Sequence, residues 1–241
     1  MRGIILSGGS ATRLRPCTKV TSKQLLPVYN RPMIYYPLNT LIKGGIKEIL
    51  IIVSPEYAGD YMNLLGSGKQ FGVKFTYEIQ DRPTGLSEAF IIGENFIDQD
   101  NVAMILGDNI FEDDFSDEIR NFQSGGKIFA KAVPDPERFG VVEMDQQGKA
   151  LSIEEKPLNP KSNLAITGLY LYDHRVVEIA KNCQPSARGE LEITDLHNWY
   201  LAQNELAVAM VKGSWIDAGT FDSLLEAQIL AKEKLQTQMV I

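Results

Sequence analysis

The chain has 241 residues, 44% of them hydrophobic, with 24 Lys+Arg against 31 Asp+Glu and a formal charge of −7. At this length folding removes roughly 70% or more of the surface from water, so one large core or two joined lobes can form without staples, and disorder and fibre are excluded. The acidic balance counts against nucleic acid, which needs a basic face to release counterions; Cys17 and Cys183 make no disulfide framework, and Ile4-Ile5-Leu6 is too short for a signal-peptide core or a membrane span, so a cytoplasmic protein with no membrane partner is expected.

Short apolar runs bounded by turn residues alternate with amphipathic stretches, the pattern of βα units around a mainly parallel sheet. Residues 3–7, 48–53, 74–79, 102–106 and 127–133 read as strands. Residues 32–43 and 84–96 read as helices, the first opened by Pro32 and closed at Gly44-Gly45. The first half is therefore expected to be doubly wound. Beyond Pro134, residues 138–145 and 149–156 alternate around Gln146-Gln147-Gly148, which predicts a β-hairpin. A strand over 165–172 and a helix over 190–203 follow, and 221–235 reads as a docking helix. The expectation is one domain with two lobes, approximately 1–133 and 134–241, the second more antiparallel.

The first strand runs into Ser7-Gly8-Gly9-Ser10-Ala11-Thr12-Arg13. Paired glycines let backbone N–H groups turn toward an anion without a Cβ in the way, at the carboxyl edge where ligands meet a parallel sheet. Neither the dinucleotide fingerprint nor the P-loop spacing occurs. Arg13 and Lys23, on polar loops nearby, point instead to a local phosphate site in an acidic chain.

Asp108 follows the buried 102–106 run, and Asp217 stands in a second polar turn. Two hard carboxylates, completed by substrate phosphates and water, are how Mg²⁺ is held at phosphoryl-transfer sites. Glu112, Asp113 and Asp114 read as a solvated acidic loop, and His174 and His197 as structural. Gln80, at a strand end, offers a donor and an acceptor that match the imide edge of thymine or uracil, beside Gly85 at a helix start. Glu155 can accept from sugar hydroxyls, and Lys156 beside it can meet a phosphate.

Residues 6–16, followed by Thr21-Ser22-Lys23-Gln24-Leu25-Leu26-Pro27-Val28, resemble the motif of the sugar-1-phosphate nucleotidylyltransferases, and further motifs extend the resemblance over essentially the whole chain. The resemblance implies a Rossmann-like three-layer α/β fold, with a mainly parallel central sheet, a nucleotide lobe and a smaller antiparallel sugar-binding lobe. It implies Mg²⁺-dependent transfer of a nucleotidyl group from dTTP to glucose 1-phosphate with release of pyrophosphate, in a homo-oligomer, dimer or tetramer. Carried over residue by residue, it assigns catalysis to Arg13, Lys23, Asp108 and Lys156, and the metal to Asp108 and Asp217. The nucleotide falls to Leu6, Gly8, Gly9, Ser10, Ala11, Thr12, Arg13, Gln80, Gly85 and Asp108. The sugar phosphate falls to Gln24, Gly140, Glu155, Lys156, Ile166, Tyr170 and Arg188.

Five positions depart from the family pattern, the first being Ser7, where alanine is usual. Ala11 replaces the third glycine, at a cost of about 1 kcal/mol if the loop demands a positive φ. Ser87-Glu88 replaces Ala-Gln, and Phe139 stands where tyrosine is frequent. A uridylyltransferase, or an enzyme for another hexose or amino-sugar 1-phosphate, shares the same amide logic. A non-catalytic sugar-nucleotide sensor is the alternative of another class, though it would not require Arg13, Lys23, Asp108 and Asp217 together.

Overall fold

Apolar residues on both faces of Arg2–Ser7 (β1) set the architecture of this computed structural model, which describes residues 1–9, 11–236 and 238–241: Ile4 and Leu6 enter one core and Ile5 the other. A parallel strand buried on both faces needs helices on both. Along the chain follow β2 (Pro27–Val28), β3 (Arg31–Pro32), α1 (Tyr35–Lys43), β4 (Glu48–Val53), α2 (Ala58–Leu65), β5 (Lys74–Ile79), α3 (Glu88–Ile92), α4 (Glu94–Ile97), β6 (Val102–Leu106), β7 (Asn109–Phe111), α5 (Ser116–Arg120) and β8 (Gly126–Ala132). The second half adds β9 (Gly140–Met144), β10 (Ala150–Glu155), β11 (Leu164–Tyr172), α6 (Val176–Asn182), α7 (Ile193–Ala202), β12 (Leu206–Met210), β13 (Trp215–Asp217) and α8 (Phe221–Leu230), which Ala231–Leu235 prolongs as a π turn.

Phe90 of α3, Val176 of α6 and Leu196 of α7 pack on the Ile4 side of the sheet, whereas Leu38 of α1, Tyr61 of α2 and Ile119 of α5 pack on the Ile5 side. Three layers result, as expected. Strands β5, β4, β1 and β6 are parallel neighbours in that order. The chain leaves β1 for β4 on one side and comes back as β6 on the other. Such a reversal opens a crevice beyond the carboxyl ends of the two strands, so the loops after β1 and β6 must face each other across it.

The antiparallel part is not a separate layer beside this sheet. Strand β11 runs antiparallel to β6, with Leu169 opposite Ile105 and Tyr172 opposite Val102, and the β9–β10 hairpin and the β8–β12 pair join through it. One continuous sheet of nine strands results among the described residues. Its physical reason is the nearly uninterrupted burial of β11, which leaves no edge between the parallel and antiparallel strands.

Three expected helices are shorter than their patterns. The first begins at Tyr35, because Pro32 pairs with Pro27 in the β2–β3 ribbon. The second begins at Glu88, not near Gly85, and breaks at Gly93. Residues 84–87 instead bond to the backbone of Leu191, which donates to Thr84 O at 2.7 Å and accepts from Ser87 N at 3.2 Å. The same contacts delay the expected 190–203 helix to Ile193. No helix among the described residues is long and apolar enough to cross a membrane.

Candidate active site

The turn after β1 has the backbone that its glycines suggest. Gly9 has φ +104°, and Ala11 is left-handed at φ 44°, ψ 39°. Thr18 Oγ1 donates to Ala11 O at 2.8 Å and steadies this conformation. Thr12 and Arg13 follow in a 3₁₀ turn, Thr12–Leu14, that buries Leu14 and leaves both of them exposed. The assignment of Ser10 falls outside the described residues. Because alanine pays about 1 kcal/mol in this region and glycine loses part of that gain through its freer unfolded chain, Ala11→Gly is expected to change stability by between zero and about +1 kcal/mol. Thermal unfolding should show that small gain, with triphosphate KM equal or lower; a clear loss in both would mean the loop is built around alanine.

Lys23 lies in the 3₁₀ turn Lys23–Leu25, and its Nζ donates to Asp108 Oδ2; the two side chains are only 14% and 13% exposed. Asp108 Oδ1 accepts from Asn109 Nδ2 at 3.0 Å. Asn109 Oδ1 in turn accepts from Gly168 N at 3.0 Å and Trp215 Nε1 at 2.6 Å, so this buried amide ties the loop after β6 to β11 and β13. A Cβ at Gly168 would stand 2.5 Å from that oxygen, which is why glycine is needed there.

Asp217 closes β13 instead of sitting in a turn. Strand β13 pairs antiparallel with β7, Asp217 lies opposite Asn109, and Ala218 N donates to Asp108 O at 3.0 Å. The two carboxylates, 109 positions apart in the chain, are therefore neighbours. Burial drives Asp108 toward its neutral form, but the Lys23 ammonium and the hydrogen bonds from Lys23 and Asn109 outweigh it and hold its carboxyl below the usual range. For Asp217, burial and then the Asp108 charge prevail over Lys23 and Arg13 and push it up to about 6. Burial also works against the Lys23 charge, yet Asp108 and Asp217 together leave its pKa raised.

A divalent cation fits this donor set. Asp217 Oδ1 is buried without a hydrogen-bond partner among the described residues, and two carboxylates share one lysine. No group of three or more His, Cys, Asp or Glu suited to a metal occurs among those residues, so the pair supplies a partial shell of hard oxygens, not a cage.

Two cavities meet here. The one over the glycine turn, of about 360 Å³, is lined by Leu6, Gly8, Gly9, Arg13, Lys23, Gln24, Gln80, Gly85, Leu86, Leu106 and Asp108 among others. A Cβ at Gly8 would stand 2.4 Å from Gln80 Oε1, and one at Gly85, where φ is +124°, would stand 2.3 Å from Leu191 O. Gln24, which the resemblance assigned to the sugar phosphate, lines this cavity; its Oε1 accepts from Ser22 Oγ at 2.8 Å and Tyr61 OH at 3.2 Å. An adjoining opening of about 490 Å³ is lined by Gly9, Ala11, Lys23 and Gln80, and also by Arg15 and Lys19, two cations that motif reading did not single out.

The second cavity, about 460 Å³, lies over the hairpin and is lined by Arg13, Asn109, Arg138, Gly140, Glu155, Lys156, Ile166, Tyr170 and Asp217 among others. Glu155 Oε1 stands 3.6 Å from Lys156 Nζ and 3.4 Å from Arg188 Nη2. Burial is the main cause of the upward shift of the Glu155 carboxyl; Glu192 adds to it, and Lys156 and Arg188 oppose it. Arg188 pairs most closely with Glu192, at 2.7 Å, and reaches Glu155 in this cavity's wall at 3.4 Å. His197 lies beneath the cavity, fully buried, with Nδ1 2.6 Å from Tyr172 OH. Burial drops its pKa to about 3, so it is a neutral core residue, as expected.

In the acidic loop Asp114 is exposed as expected, but Glu112 and Asp113 are half-buried and bonded. Asp113 Oδ2 accepts from Lys212 N at 2.7 Å, and Glu112 Oε2 accepts from Ser214 N at 3.0 Å and Ser214 Oγ at 2.9 Å. These bonds fasten the turn that leads into β13 and hence set where Asp217 arrives. Nothing local in the sequence marks this, because the partners lie about a hundred positions downstream.

A switch-point crevice with a glycine turn, clustered cations and a carboxylate pair defines a protein that handles phosphate esters on an α/β frame. The family model for nucleotidyl transferases matches residues 2–234, and the chain belongs to that family. Within it, the chain is 53% identical over 233 residues to the glucose-1-phosphate thymidylyltransferase of Neisseria meningitidis, a match covering 94% of this chain and 81% of that one. It is 54% identical over 232 residues to the enzyme of the same description from Mycobacterium tuberculosis, with the same coverage. Among solved structures, a candidate glucose-1-phosphate thymidylyltransferase from Bacillus anthracis in complex with sucrose superposes with TM-score 0.91 at 48% identity, covering 97% of this chain and 96% of that one. A UDP-glucose pyrophosphorylase complexed with UDP-glucose shares the fold, with TM-score 0.83 at 24% identity over 97% of this chain and 98% of that one.

Proposed function

We propose that the protein transfers a nucleotidyl group from dTTP to glucose 1-phosphate, giving dTDP-glucose and pyrophosphate. The observation that carries this reading is the seam between the two cavities: Arg13 lines both, with Lys23 and Asp108 on one side and Asp217 on the other. A triphosphate seated on the glycine turn and a sugar phosphate seated over the hairpin would bring their phosphates to the same charges. The thymidylyltransferases near 50% identity support the choice of substrates.

In this reading Leu6, Gly8, Gln80 and Gly85 receive the pyrimidine, and the backbone of the glycine turn, Arg13 and Lys23 receive the triphosphate. Glu155 accepts from sugar hydroxyls, the Gly140 backbone approaches the ring, Ile166 and Tyr170 close the pocket, and Lys156 holds the 1-phosphate with Arg188 behind Glu155. A sugar-phosphate oxygen attacks the α-phosphorus in line; that O–P bond forms as the bond from the α-phosphorus to the bridging oxygen breaks, and pyrophosphate leaves with the electron pair. The attacking phosphate is already anionic near neutral pH, so no side chain has to remove a proton, and catalysis reduces to positioning and charge neutralisation. We assign Mg²⁺ to Asp108 and Asp217, where when bound it would neutralise charge on the transferring phosphate.

The division into lobes 1–133 and 134–241, a cytoplasmic location and a homo-oligomer, dimer or tetramer, complete the proposal. Free Cys17 and Cys183 agree with a reducing compartment, and the exposed stripe Phe221, Leu225 and Ile229 on α8 agrees with an oligomer. The test is pyrophosphate release from a matrix of dTTP, UTP and dCTP against several hexose 1-phosphates with Mg²⁺. dTTP with glucose 1-phosphate is expected to be fastest; UTP lacks the thymine methyl, worth about 10- to 200-fold in an apolar site, and adds a 2′-hydroxyl, so it should trail by at least about 10-fold. Nucleotide binding without turnover would favour the sensor.

A further inference from the structure

Gln80 sits against the glycine-turn cavity at 5% exposure, and its amide is already committed. Its Nε2 carries two hydrogens; Glu88 Oε2 at 2.7 Å and Gly85 O at 3.3 Å accept them. Only the carbonyl oxygen Oε1, held beside Gly8, is left to address a ligand. The opposite amide orientation would set that oxygen against a carboxylate and a backbone carbonyl, three acceptors with no hydrogen among them. Glu88 therefore decides which end of Gln80 the cavity presents.

We propose that Glu88 is the positioning residue for base selection: by taking the Gln80 amide hydrogens it makes Gln80 an acceptor alone toward the base. This rests on the reading of the cavity as a pyrimidine site. An acceptor admits a ring N–H, such as N3–H of thymine or uracil, and repels the N3 lone pair that cytosine carries at the same place. Discrimination then comes from a built-in repulsion as much as from the bond to the right base. A glutamine at position 88 would lose that control, because its own amide can rotate to donate to Gln80 Oε1 and let Nε2 face the cavity.

The test compares kcat/KM for dTTP and dCTP, with glucose 1-phosphate saturating, in wild type, Glu88→Gln and Glu88→Ala. The dTTP:dCTP ratio is expected to fall at least fivefold in both variants, through nucleotide KM and not kcat, with the KM for glucose 1-phosphate unmoved. A wild-type ratio in both variants, or an equal loss for both nucleotides, overturns the role of Glu88 and leaves thymidylyl transfer standing. If wild type does not turn over dTTP, the functional reading fails separately. Calorimetric affinities for dTTP and dCTP in wild type and Glu88→Gln then decide the proposal: a fall in their ratio supports it, an unchanged ratio overturns it.

Discussion

Asp217→Asn is expected to remove most turnover and, at the same time, to stabilise the metal-free protein. The Asp217 carboxyl is pushed up to about 6 by burial and by Asp108, against about 3.9 in an unfolded chain. A carboxyl raised in the folded state favours folding fully below its unfolded value and loses that contribution as pH climbs through its folded value. Above pH about 6 the ionised Asp217 is therefore a cost to the native state, which asparagine does not carry. In EDTA the variant should melt higher than wild type at pH 8, with the gap closing toward pH 4. Mg²⁺ should raise the melting temperature of wild type and leave that of the variant nearly unmoved. Outer-shell partners of metals cost about 10- to 100-fold when lost, and a direct ligand should cost at least as much in turnover. Equal melting at every pH would sink the electrostatic account; near-normal turnover at saturating Mg²⁺ would sink the metal assignment.

What could be read before folding was what depends on near neighbours. The apolar run in 3–7, the glycine pair after it and the carboxylate after 102–106 are local features that pointed to the carboxyl edge of the sheet, where Gly8, Gly9 and Asp108 line one cavity. A positive φ at Ala11 was only a condition raised by one substitution in one motif, and the loop does adopt it. Long-range partners were a different matter. Thr84 and Ser87 forgo a helical turn because Leu191 offers them backbone bonds, and no local pattern announces Leu191. Asn109 carries no local signal of its role, yet it fixes Asp108 to β11 and β13 through Gly168 and Trp215. Gln24 entered only through the resemblance, and nothing near it in sequence announces that Tyr61 shares its amide oxygen with Ser22. Glu88 was visible only as a departure from pattern until Gln80 was seen beside it.

Lys23→Met tests the other half of the charge balance, and it is expected to damage both turnover and stability. Removing one partner of a buried ion pair costs about 3–5 kcal/mol when the remaining charge stays uncompensated. Here the loss is moderated, because the side chains retain 14% and 13% exposure and one of the two carboxyls can take up a proton. The stability that Lys23 confers has defined limits: the depressed Asp108 contributes above about pH 4 and loses its contribution as pH falls through its folded value, while the raised Lys23 contributes below about pH 10.4 and loses it above. The melting deficit of Lys23→Met should thus be widest between about pH 6 and 10 and narrow toward pH 4. Mg²⁺ supplies positive charge to the same carboxylates and should shrink the deficit. Turnover should stay low all the same, since a preorganised cation at a reacting phosphate is worth about 10²- to 10³-fold. Lys23→Arg restores the charge but as a planar fork in place of a compact point, so it should recover stability more fully than rate. A melting deficit independent of pH and Mg²⁺ would mean that Lys23 acts here by packing alone, and undiminished turnover would remove it from the phosphate site.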